Sequence, residues 1–120
     1  MYDLVIRGGT VVTPEAVLAA DIGIFGEKIA ALGDGLEGKS QVDASGKLVF
    51  PGVIDPHVHF SLPVGGTVSS DDFYSGSVAA ACGGVTTVID FTVGAPERTM
   101  AEDLRKRFED ARPSVVDYSF

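Results

Sequence analysis

His57 and His59 are the only histidines in the 120-residue chain, and they stand one residue apart in Asp55-Pro56-His57-Val58-His59-Phe60. In an extended segment the side chains alternate with a period of two, so both imidazoles project from one face. Two neutral imidazoles on one face can ligate a single divalent cation, each through either ring nitrogen. At the C-terminal end of a barrel strand they would point toward the face where such barrels carry their chemistry. Two ordinary strand histidines have the same spacing, and the pattern alone leaves both readings open. Their position just after Pro51-Gly52, where the rhythm of the sequence changes, strengthens the metal reading without closing the other. So does the cost of burying imidazole nitrogens without partners.

Other chemistry-bearing side chains have plainer readings. Asp55 would orient a ligand histidine from behind or, equally, serve a backbone partner at a strand end. Asp90 closes a second apolar run and reads as a structural hydrogen-bonding group. Asp71 and Asp72 read as a helix cap. Cys82 has no basic neighbour and reads as a packing residue, not a nucleophile. Gly65-Gly66 and Gly83-Gly84 supply turns and belong to no phosphate-binding loop. No catalytic acid, base or nucleophile is assigned within these residues.

The elements that must position the histidines fall into two halves. From Met1 to Phe50, short apolar segments alternate with turn residues: Leu4-Val5-Ile6, Gly8-Gly9, Thr10-Val11-Val12, then Ile22-Gly23-Ile24-Phe25, Gly26-Glu27 and Lys28-Ile29-Ala30-Ala31-Leu32. Turn signals this close together predict antiparallel hairpins and a small all-β layer that serves as scaffold. From residue 51 onward the pattern becomes strand, helix, strand, helix, strand. Val53-Ile54-Asp55 is a short apolar run. A helix from Asp71 or Asp72 to Cys82 presents Phe73, Val78, Ala79 and Cys82 as its apolar face and stops at Gly83-Gly84. Val85 to Phe91 is β-branched and reads as a buried strand. Thr99-Met100-Ala101-Glu102 is a capping box opening a helix to about Ala111. Val115 to Phe120 begins a third strand. This order implies βαβ crossovers and a parallel sheet, without separating a barrel from an open doubly wound sheet. A complete (β/α)₈ barrel takes about 250 residues, and an apolar strand at the end of the chain is an exposed edge. The chain reads as a truncated piece.

Composition narrows the partners. The formal net charge of −8 speaks against nucleic acid, which needs clustered Lys and Arg. The adjacent Arg105, Lys106 and Arg107 read as a solvated helix face. A single cysteine permits no internal disulfide and no Cys-rich metal site. No stretch approaches the roughly 20 apolar residues of a membrane span, and the N-terminus lacks a secretory pattern. The expectation is a cytoplasmic protein with no membrane partner.

Phe50-Pro51-Gly52-Val53-Ile54-Asp55-Pro56-His57-Val58-His59-Phe60 resembles the P-G-x-I-D-x-H-x-H signature of the amidohydrolase superfamily. Leu62 to Phe73 and Ala79 to Phe91 extend the resemblance to hydantoinases and dihydropyrimidinases. The N-terminal hairpins resemble that family's small β-sandwich. The resemblance covers essentially the whole chain. It implies an α/β chain with part of a small β-sandwich in residues 1–50 and the start of a (β/α)₈ TIM barrel in residues 51–120. It also implies a binuclear site, usually zinc, with His57 and His59 on one ion. A carboxylated lysine bridge, two more histidines and an aspartate would come from later strands absent here. The implied reaction is hydrolysis of a small cyclic amide, a hydantoin or dihydropyrimidine, to an N-carbamoyl amino acid, in a homo-oligomer that is commonly a tetramer.

One departure bears on the substrate. Dihydroorotases typically carry an arginine two residues after the second histidine, and allantoinases often an asparagine. Here the residue is Ser61, which makes no charged clamp on a carboxylate. Rings without a carboxylate therefore fit better. The resemblance makes the loop around Leu62, Pro63 and Val64 a candidate substrate wall, with Val93 a lesser one; simple loop packing is the alternative. Two other readings stay open: a non-catalytic relative that keeps the fold as an interaction scaffold, and a fragment inactive by itself.

Overall fold

A computed structural model describes all 120 residues, which divide into two compact units, Met1–Pro51 and Gly52–Phe120. In the first, β1 (Tyr2–Val12), β2 (Val17–Phe25) and β3 (Lys28–Gly33) form two antiparallel hairpins. Gly26 opens the two-residue turn between β2 and β3 at a φ of +59°, the left-handed geometry that primed hairpin turns require.

The rest of this sheet departs from the antiparallel expectation. β4 (Gly38–Asp43) and β5 (Leu48–Val49) both pair parallel with β1. The link between β3 and β4 crosses back to the far side of β1, held where Leu36 N–H donates to Asp21 and Tyr2 N–H to the Glu37 carbonyl. Turn residues tell where the chain bends; they do not tell which strand it joins next.

Asp21 is the hinge of this sheet. Opposite it, β1 carries two residues, Arg7 and Gly8, between the Ile6–Ile22 and Gly9–Ala20 pairs. That is a bulge, with Gly8 at a φ of +69°. Its N–H is lost to the ladder and donates instead to Asp21 Oδ1, 3.0 Å away. Val11, Ala20 and Ile22 form the buried core beside it, with Ile6, Leu18, Ile24 and Val49 packed against them.

The second unit is a parallel sheet of β6 (Val53–Asp55), β9 (Val85–Ile89) and β10 (Asp117–Ser119), with β9 in the middle. Between β6 and β9 lie a small hairpin, β7 (Pro63–Val64) with β8 (Thr67–Val68), and helix α1 (Phe73–Cys82). Helix α2 (Met100–Asp110) connects β9 to β10. Both helices begin as local chemistry dictates. Asp72 accepts from Ser75 N–H while the Ser75 hydroxyl accepts from Asp72 N–H, and Thr99 and Glu102 repeat the exchange on α2.

The packing face of α1 differs from the expected one. Phe73, Gly76 and Ser77 are buried and Ala80 is packed against the core, whereas Val78, Ala79 and Cys82 are exposed. Small residues win the contact because they allow close approach: a Cβ on Gly76 would overlap the Phe60 ring. Ser77 accepts from Val115 N–H at 3.0 Å and ties the start of the last strand segment to α1. Phe60, Phe73, Val88 and Ala111 make the core, with Phe60 and Phe73 edge to face at 5.6 Å.

The Asp21 carboxyl is held below the usual carboxylate range, chiefly by the Gly8 N–H, and that lowering sets a pH dependence. A group with a depressed folded pKa stabilises above its unfolded value of about 3.9 and loses that contribution as pH falls through the folded value. Asp21→Asn is therefore expected to lower the denaturant midpoint at pH 7. The loss should shrink as the same measurement is repeated at progressively lower pH, where the native carboxyl also protonates.

Candidate functional site

β6 ends at Asp55, and Pro56 supplies no N–H to continue its ladder. The Asp55 carboxylate spans the gap and accepts from His57 N–H at 3.1 Å. Of its two expected roles, the structure gives the backbone one: its recorded bond is to the main chain, not to an imidazole. Val58 N–H then donates to the Ile89 carbonyl, so the segment stays extended beside β9. The period of two follows. Val58 packs toward the core and Phe60 is buried, while His57 and His59 are exposed on the other side.

The two imidazoles meet. Their Nε2 atoms lie 3.1 Å apart, with the rings edge to face at a centroid distance of 4.9 Å. The Phe91 ring packs on both, at 4.8 Å from His57 and 5.2 Å from His59. Two neutral imidazoles so placed either share one proton or turn both lone pairs on one cation. Zinc–nitrogen bonds of about 2.0–2.1 Å accommodate nitrogens at this separation on a single ion, so the pair fits a metal. No group of three or more His, Cys, Asp or Glu is arranged to hold an ion. The chain brings two donors.

Beyond Phe60 the backbone turns sharply. Ser61 has a φ of +47°, the only positive value outside glycine, a conformation costing about 1–2 kcal/mol for a residue with a Cβ. Its N–H donates to the Asp71 carbonyl at 2.8 Å. The β7–β8 hairpin follows, closed by Gly65 and Gly66 at φ of +57° and +81°, as a type I′ turn requires. Ser69 fastens its base: its hydroxyl accepts from Leu62 N–H at 2.8 Å and donates to the His59 carbonyl at 3.1 Å. Leu62 is half-buried, whereas Val64, paired with Thr67, is 58% exposed. Val93 lines a separate cleft of about 100 Å³ with Ser61, Pro63, Asp103 and Arg107, and neither histidine borders it.

Asp90 takes the structural role expected of it. It is 1% exposed, and its carboxylate accepts from Phe60 N–H at 3.0 Å, Phe91 N–H at 2.6 Å and Arg107 Nη2 at 2.9 Å. Arg107 corrects the reading of the basic trio. Arg105 and Lys106 are exposed, but Arg107 is 5% exposed. Its guanidinium donates to the Phe60 and Phe91 carbonyls as well as to Asp90, and sits 4.6 Å over the Phe73 ring. Nothing local in the sequence separates Arg107 from Arg105. Cys82 is another correction: it is exposed, not packed.

Parallel strands joined through helices, with the polar pair just past the end of β6, define an α/β fold, a class in which chemistry is commonly placed at the carboxyl ends of the strands. Residues 48–117 match the Amidohydrolase family. The chain is 44% identical to a D-hydantoinase of Geobacillus stearothermophilus over 122 residues, which covers 96% of this chain and 25% of that protein. Among solved structures, D-hydantoinase from Bacillus sp. AR9 superposes with a TM-score of 0.92 at 43% identity, over 96% of this chain and 26% of that one. Dihydropyrimidinase from Brevibacillus agri NCHU1002 gives 0.91 at 42% identity, over 95% and 25%. The chain belongs to the amidohydrolase family, and within it is similar to hydantoinases and dihydropyrimidinases. It spans about a quarter of the length of these relatives.

The hairpin tie is directly testable. Ser69→Ala removes a half-buried hydrogen bond from Leu62 N–H and an exposed one to the His59 carbonyl, and is expected to cost about 1 kcal/mol. Amide exchange at Leu62 should quicken while exchange at Val88, in the sheet core, stays slow.

Proposed function

We propose that the protein carrying this chain hydrolyses a small cyclic amide, opening a hydantoin or dihydropyrimidine ring to an N-carbamoyl amino acid. The observation that carries this reading is the 3.1 Å approach of the His57 and His59 Nε2 atoms within the segment that matches the amidohydrolase family. His57 and His59 are ligands of one divalent cation, zinc by resemblance, in a site of two ions bridged by a carboxylated lysine from outside these residues. When bound, such ions supply Lewis-acid polarisation of the amide carbonyl and an activated water.

The contribution of this chain is positional. His57 and His59 present their Nε2 atoms from one strand end, oriented by the bond of Val58 to the Ile89 carbonyl and by the Asp55 turn. The Phe91 ring packs against both imidazoles. Ser61 offers no positive charge, which favours rings without a carboxylate over dihydroorotate-like ones. Leu62 and Val64 form an apolar wall for the ring substituent. Residues 1–50 contribute part of a β-sandwich and residues 51–120 the start of a TIM barrel, in a cytoplasmic homotetramer. No helix is long and apolar enough to cross a membrane. With two donors only, the 120 residues alone are catalytically silent.

The test uses the complete protein and its double variant His57→Ala/His59→Ala. Metal content by elemental analysis should fall, and ring opening of hydantoin or dihydrouracil should drop at least about a hundredfold, more than loss of an outer-shell partner costs. Full metal content in the double variant would overturn the ligand assignment. A folded, metal-loaded wild-type protein that opens neither ring would overturn the substrate class.

A further inference from the structure

Asp90 and Arg107 together hold both main-chain groups of Phe60, the residue directly after His59. Asp90 accepts from its N–H and Arg107 donates to its carbonyl. The same two side chains hold both main-chain groups of Phe91. Asp90 accepts from its N–H at 2.6 Å, and Arg107 Nε donates to its carbonyl at 3.0 Å. The Phe91 ring is the one that packs against both imidazoles. The histidine pair is therefore held by two routes, one along the backbone and one through an aromatic contact. Both routes end on a single ion pair, which bonds across 2.9 Å.

We propose that Asp90 and Arg107 are positioning residues for the metal ligands, a clamp that sets the separation and tilt of the His57 and His59 rings. The pair is more elaborate than the fold alone needs. A packing residue at position 107 would fill the space beside Phe73 without engaging two carbonyls from different strand ends. Arg is suited to this by its planar fork, which reaches several acceptors at fixed angles; Lys is a point charge and does not. Both side chains bond to the main chain of Phe60 and Phe91 and to each other. Their effect passes through His57 and His59, and it rests on the metal-ligand reading of that pair.

The test compares variants of the complete protein loaded with cobalt(II), reading metal affinity by chelator competition and ligand geometry by the visible absorption bands. Arg107→Lys keeps the charge beside Asp90 but loses the fork. It is expected to weaken cobalt affinity about tenfold, as loss of an outer-shell partner does, and to shift the bands, at temperatures where circular dichroism shows the protein folded. Ser77→Ala, which removes the tie to Val115, serves as the stability control: its Tm should fall while affinity and bands stay as in wild type. Wild-type affinity and bands in Arg107→Lys would overturn the clamp. If Arg107→Lys does not fold, Asp90→Asn, which keeps size and one acceptor, is read for the same two quantities by the same criterion. His57→Ala separates the two proposals: unchanged cobalt affinity there refutes the ligand reading itself, whereas lost affinity there with none lost in Arg107→Lys refutes only the clamp.

Discussion

The second unit depends on a buried ion pair that desolvation opposes. Removing a carboxylate and a guanidinium from water costs several kcal/mol per ion, which their attraction offsets only when every remaining polar site is also bonded. Asp90 and Arg107 meet that condition. Each makes further bonds to the main chain, and no buried side-chain nitrogen or oxygen in the structure lacks a partner. The strands whose ends they join are short, with three residues in β6 and five in β9. Ladders of that length cannot fix the loops beyond them. The ion pair continues, by side chains, the order that the backbone ladder leaves off.

Asp21 does the corresponding work in the first unit. There the ladder is interrupted in mid-strand by the bulge at Gly8, and the carboxylate opposite takes up the released N–H. The interruption runs deeper than one residue. β4 and β5 lie along the same side of β1 and are separated by residues 44–47, beside the bulge. Ala44 N–H donates to the Arg7 carbonyl and Thr10 N–H to the Lys47 carbonyl, so the sheet closes again on either side. In both units a buried aspartate stands where main-chain pairing fails, because an unpaired buried amide costs more than the carboxylate's desolvation once the carboxylate is well bonded.

These features divide by how local their causes are. The cap of α2 was legible because Thr99 with Glu102 settles it within four residues, and that of α1 as Asp71 or Asp72, with Ser75 deciding for Asp72 in the structure. The common face of His57 and His59 was legible for the same reason, since strand period alone decides it. The parallel course of β4 and β5 was not, because a turn residue carries no information about the next partner strand. The face of α1 was not either. A hydrophobicity count selects Val78 and Cys82, but the contact is decided by how near Phe60 can come to Gly76. Arg107 was the deepest omission: at the end of a run of three basic residues, only the position of two carbonyls from other elements singles it out.

Phe60 shows why the site and the core cannot be considered apart. Its ring lies in the core against Phe73 and over Gly76, while its N–H and carbonyl are held by the ion pair. The residue before it is His59, and the residue after it, Ser61, takes the left-handed turn that launches the hairpin. Displacing the Phe60 ring would thus move the histidine pair and the hairpin together. The hairpin itself is fastened more lightly, with Ser69 tying its base and Gly65-Gly66 closing its tip. The imidazoles thus border the more heavily bonded segment and the hairpin the more lightly bonded one. A chain built this way can change what lies beside the histidines without disturbing the separation of their nitrogens.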